Sequence, residues 1–88
     1  MLAGLRTWLR TRRSRQAAVV RACETFRATR AVEPIGAHVL SHDPHRTIVR
    51  VMYMTDHIPP DRAWFAVSAD EVREIPYDDV AHLEGPWR

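Results

Sequence analysis

An α+β domain is the fold class that these 88 residues predict: an N-terminal helical region on an antiparallel meander of three to four strands, closed by a short C-terminal helix. Three observations carry it. Residues 14–30 contain no glycine or proline and hold apolar side chains at helical spacing. Residues 35–68 fall into three runs rich in β-branched and aromatic residues, separated by Asp/Pro turns. The last stretch ends on Gly85 with Pro86 beyond it, the signature of a helix stop.

The helical reading rests on Val19, Ala22, Cys23 and Phe26, which occupy i, i+3, i+4 and i+7 and so share one face. Upstream, Leu2, Leu5, Trp8 and Leu9 form a second stripe of the same kind. Extending it through Arg12 and Gln16 meets polar residues, so either a kink separates two helices or one long helix buries only its two ends. Glu33-Pro34-Ile35-Gly36 stops the helix, because a residue before proline is pushed out of the α region. The chain therefore divides into a basic amphipathic segment, residues 1–15, and a single small α+β domain, residues 14–88.

"IGAHVLSH", "RTIVRVMYMT" and "RAWFAVS" read as strands, joined by turns in "DPH" and "DHIPPD". If Asp43-Pro44-His45 is a three-residue loop with His42 opposite Arg46, then Val39 faces Val49, Ala37 faces Val51 and Ile35 faces Tyr53, giving one apolar face. The opposite face then carries His38, Leu40, Ile48, Arg50, Met52 and Met54, joined by Trp64. That face is half apolar, which suits a protein interface better than water. The N-terminal stripe or another molecule is expected to cover it. "SADEVREIPY" is read as a turn into a fourth strand over Val72–Tyr77, because Pro76 would break a helix there; the alternative is a capping box formed by Ser68 and Glu71. "YDDVAHLEG" is read as one or two final helical turns.

Charge is unevenly placed. All thirteen basic residues are arginine; residues 1–30 carry eight against Glu24 alone, net +7, and residues 31–88 carry five against ten acids, net −5. A basic arm is joined to an acidic body. Arg6, Arg10, Arg12, Arg13 and Arg15 are the candidate anion or nucleic-acid contacts, and with the Leu/Trp stripe they also fit an anionic membrane surface. The arm offers a single aromatic residue, Trp8, where single-strand binders usually use several for stacking, so a solvated face pairing with the acidic body is the simpler expectation. No apolar run approaches the ~20 residues of a membrane span, and no uninterrupted signal-peptide core is present; the expected compartment is the cytoplasm.

"HVLSHDPH", residues 38–45, sets three histidines beside an aspartate. On a strand His38 and His42 lie ~13 Å apart, too far to share one ion. His42 and His45 flank a turn with Asp43, and two exposed histidines and a carboxylate fall short of the four ligands of a stable site. His57 belongs to the loop at the other end of the second strand, ~30 Å away at ~3.3 Å per residue, so one active site cannot hold both. Cys23 lies on the apolar stripe, where a thiol is inert, and as the sole cysteine it excludes an intrachain disulfide. Ser41 and Ser68 lack a glycine-flanked elbow, no glycine-rich phosphate loop occurs, and the pairs Asp70-Glu71 and Asp78-Asp79 suit turns and helix starts. No catalytic constellation, metal or cofactor is expected. The function expected is a non-enzymatic protein-interaction or self-associating module, through His38, Leu40, Ile48, Arg50, Met52, Met54 and Trp64, with nucleic-acid or peripheral membrane binding through the arm as alternatives.

Overall fold

The computed structural model describes the backbone of residues 2–56 and 58–85, and the side chains from residue 12 onward within that range. The element order is helix α1 (Leu2–Arg30), strands β1 (Pro34–His42), β2 (Thr47–Tyr53), β3 (Asp61–Val67) and β4 (Val72–Ile75), a 3-10 turn (Tyr77–Asp79) and helix α2 (Ala81–Glu84). The strands pair antiparallel in chain order, β1-β2-β3-β4, leaving β1 and β4 at the edges.

α1 is one continuous helix, so neither a kink nor a second helix separates the two stripes. Arginine, threonine and glutamine in "RTRRSRQ" are tolerated in a helix. Ala18, Ala22 and Phe26 are buried, while residues 12–17 are all exposed. At 1.5 Å per residue, the segment Leu2–Ala17 is ~24 Å of helix preceding Ala18, the first buried residue among those whose side chains are described. The radius of gyration, 14.1 Å, records the elongation; a compact chain of this length would have about 12 Å. The helix stops through Ala31, which adopts a left-handed φ of 54° and donates its N–H to the Arg27 carbonyl at 2.9 Å.

The sheet face under α1 holds the main core: Val49, Val51, Ala63, Phe65 and Val67 close on Ala18, Ala22 and Phe26. Tyr53 stacks obliquely on Phe26 with ring centroids 4.9 Å apart, and the Arg30 guanidinium lies 5.2 Å from the Phe26 centroid and 5.8 Å from that of Tyr53. Arg30 then reaches β4, donating two hydrogen bonds to Glu74 at 2.7 and 2.5 Å. That pairing holds the Glu74 carboxyl below its ordinary value and raises Arg30.

The expected register holds at the centre of the first hairpin, with Val39 opposite Val49 and Ala37 opposite Val51. It fails at both ends. Shifts between Pro34 and Gly36 and between Val39 and Ser41 bring Pro34 opposite Tyr53 and His42 opposite Thr47, where Ile35 and Arg46 were expected as the partners. Each extra residue inverts the alternation beyond it. Ile35 is consequently 55% exposed instead of facing Tyr53, and His42 turns to the face of buried Thr47, the helix side. The fourth strand forms but ends at Ile75, one residue before Pro76. Ser68 and Glu71 close the β3–β4 turn rather than capping a helix: Ser68 N–H donates to the Glu71 carbonyl and Glu71 N–H to Ser68 Oγ.

Candidate functional site

The outer sheet face was expected to await the N-terminal stripe or another molecule. Its cover is the C-terminal segment. Val80, between the 3-10 turn and α2, and Leu83 of α2 pack on Ile48, Ala66 and Ile75 together with Leu40 and Trp64. Trp64 also stacks on Tyr77 at 5.4 Å between centroids. Arg50 and Glu84 form an ion pair beneath the cover, 3.2 Å from Nη1 to Oε1, with side chains 16% and 0% exposed. The Trp64 indole N–H is buried without a hydrogen-bond partner among the described residues.

Of the seven residues expected at a partner interface, Ile48 is therefore buried, and Leu40, Arg50 and Trp64 lie against the chain's own C-terminal segment. His38 is exposed, Met54 is 48% exposed and Met52 half-buried. These three form the part of the outer-face set that stays open, toward β1. The sequence signal for this cover is too short to read by periodicity: two apolar residues, Val80 and Leu83, in a segment of about one turn.

The arm splits in the same way. Arg21, Arg27 and Arg30, on the docked half of α1, are engaged: Arg21 Nη1 donates to the Ser68 carbonyl at 2.5 Å, and Arg27 and Arg30 pair with Glu33 and Glu74. Arg12, Arg13 and Arg15 are exposed on the protruding half. The side chains of Arg6 and Arg10, and those of Leu2, Leu5, Trp8 and Leu9, lie outside the described residues. On the acidic side Asp70, Glu71, Asp78 and Asp79 are exposed.

The histidine-rich segment also divides. His38 is on the outer face of β1, opposite Arg50. His42, rotated by the Leu40 irregularity, places Nδ1 2.7 Å from Thr47 Oγ1. Asp43 Oδ1 accepts the N–H groups of His45 and Arg46 at 2.8 and 2.9 Å, an Asx turn whose hydrogen bonds hold that carboxyl below its ordinary value. A cleft of about 250 Å³ opens there, lined by Ser14, Ala17 and Arg21 of α1, His42 to Thr47, and Val67 to Ala69. Sequence spacing could not join these three segments, because the turn of His42 toward the helix depends on a bulge with no glycine to mark it.

No cluster of three histidine, cysteine or carboxylate side chains able to hold a metal ion occurs among the described residues. His57 lies outside them, and His82 is exposed. Burial pushes the Cys23 thiol up from its ordinary value, against the opposing pull of Arg27, so the thiolate needed for nucleophilic attack is disfavoured. No described helix is long and apolar enough to cross a membrane. Comparison with known proteins finds no matching family model, no matching curated protein and no matching solved structure.

Proposed function

We propose that this protein is a non-enzymatic interaction module that self-associates, the protruding basic half of α1 from one copy seating on the acidic body of another. The observation that carries the reading is the helical arm itself. Its backbone is helical from Leu2, it has no acidic residue in its first turn, and among the residues whose side chains are described, 12–17 are exposed and burial begins at Ala18. An isolated helix of about 16 residues is marginal in water, and arginines near an N-terminus oppose the helix dipole. Such an arm is best stabilised by a negatively charged surface, and residues 31–88 carry net −5. Every copy would offer both an arm and a body, so reciprocal docking closes as a two-fold dimer. The lone cysteine suits a reducing compartment, and the cytoplasm is the location proposed.

Sedimentation equilibrium tests this. The full chain is expected to dimerise with an affinity that weakens as salt rises, and the chain lacking residues 1–15 to remain monomeric. A truncated chain that dimerises equally well overturns the reading.

The exposed succession Arg12, Arg13, Arg15 favours a second reading, phosphate contact along nucleic acid. Under it, affinity for duplex DNA or RNA falls steeply with salt and is lost when Arg10, Arg12, Arg13 and Arg15 become glutamine. Retention of the chain on anionic vesicles in preference to nucleic acid would instead favour the membrane-surface alternative.

A further inference from the structure

The cleft at the end of the sheet next to the arm has a composition that the self-association reading does not use. We infer that it is a binding site for a small tetrahedral oxyanion of the phosphate class, free or carried as a monoester. Three independent segments converge on it: α1 through Ser14 and Arg21, the β1–β2 loop through His42, His45 and Arg46, and the β3–β4 turn through Ser68. Oxyanions are recognised by N–H and O–H donors pointing inward from several sides, with guanidinium groups favoured for their planar fork.

The donors are held in place by bonds that leave capacity over. Arg21 is anchored through one terminal nitrogen to the Ser68 carbonyl, fixing the guanidinium in the cleft wall while it retains further N–H donors. His42 is fixed through Nδ1 to Thr47 Oγ1, which leaves the other ring nitrogen of a cleft-lining imidazole. When the Thr47 hydroxyl donates to Nδ1, that second nitrogen carries the proton and is a donor. Ser14 and Arg46 also line the cleft and complete the set, while the Ser68 hydroxyl is engaged with Glu71 and holds the turn.

The one carboxylate present, Asp43, is already occupied: its Oδ1 binds the N–H groups of His45 and Arg46 and so shapes the loop. Among the lining residues two guanidinium groups, Arg21 and Arg46, stand against this one carboxylate, net +1 before any histidine is counted, with exposed Asp70 and Glu71 next in the chain. A volume of about 250 Å³ suits a phosphate with part of its ester, and is below the ~300–1,000 Å³ of a typical cofactor pocket. The Leu40 irregularity acquires a role, because without it His42 would lie on the outer face with His38.

The test is a titration of the full chain with inorganic phosphate, and separately with glycerol phosphate, at constant ionic strength against chloride, read by amide chemical shifts. Saturable shifts at Ser14, Arg46, Thr47 and Ser68 are expected. Arg46→Gln and His42→Gln should each weaken binding about tenfold, the loss of one charge-assisted or well-placed donor, whereas Arg73→Gln, exposed on β4 and outside the cleft, should leave it unchanged. Tighter binding of glycerol phosphate identifies an ester, and equal or weaker binding identifies the free ion. Shifts that never saturate, that chloride reproduces, or that survive both cleft substitutions overturn the proposal. Because none of these readouts requires dimerisation, failure here is distinguishable from failure of arm docking.

Discussion

The two halves of α1 share one helix and differ in everything else. From Ala18 to Arg30 the helix buries Ala18, Ala22 and Phe26, and its arginines are tied to Ser68, Glu33 and Glu74. From residue 12 to residue 17 every side chain is exposed, and three of the six are arginine. The difference separates two uses of the same secondary structure. Apolar contact with a sheet specifies the fold in the docked half, whereas the protruding half contributes charge and reach. Substitutions in the docked half should therefore be read in stability, and those in the protruding half in association.

The largest effect is expected where the helix meets the sheet. Phe65→Ala, at a fully buried position against Phe26, should destabilise by about 4 kcal/mol, while Gln16→Ala should stay within about 0.5 kcal/mol; equal losses in chemical denaturation would dissolve the distinction between the halves. Next comes the outer face. Glu84→Ala leaves Arg50 in a site where its side chain is 16% exposed, and a loss of about 3 kcal/mol is expected. A negligible change in unfolding midpoint would mean that the C-terminal cover contributes little to the outer core.

Acid should act more gently. Glu74 and Asp43 both have folded values depressed below their ordinary 4.5 and 3.8, by Arg30 and by the backbone N–H groups of Arg46 and His45 respectively. A depressed carboxyl stabilises the fold above its unfolded value, and that contribution is lost as pH falls through the folded one. Thermal stability should thus decline on acidification below about pH 4.5, and Glu74→Gln should flatten the decline. A variant profile that tracks the parent throughout would remove Glu74 as its source. The smallest effect on folding is a gain: Ala31 sits at φ 54°, so Ala31→Gly should stabilise by about 1 kcal/mol, and a loss would show that the left-handed stop is not strained.

What the residues disclosed in advance follows a physical line. The docked stripe Val19, Ala22, Cys23 and Phe26 and the central pairs Val39/Val49 and Ala37/Val51 were legible because burial on one face imposes a period. The two hairpin irregularities were not: Gly36 flanks the first but the apolar pattern ran through it, and no glycine marks the second. His42, expected opposite Arg46, lies opposite Thr47 for that reason, and the cleft built on it was invisible. The outer face was read correctly as apolar but assigned to the wrong occupant: a cover of Val80 and Leu83 needs only one turn, too short to announce itself by periodicity. Ala31 gave no warning either, because alanine is the best helix former and here ends one.

The most direct test of the arm's role is sedimentation velocity on the full chain and on the variant with Arg10, Arg12, Arg13 and Arg15 all changed to glutamine, over a wide range of concentration at low and high salt. The parent should sediment as a dimer that dissociates on dilution and on raising salt, while the variant keeps its unfolding midpoint and remains a monomer. A parent that is monomeric at every concentration, or a variant that dimerises as tightly as the parent, would contradict the docking of this arm on the acidic body.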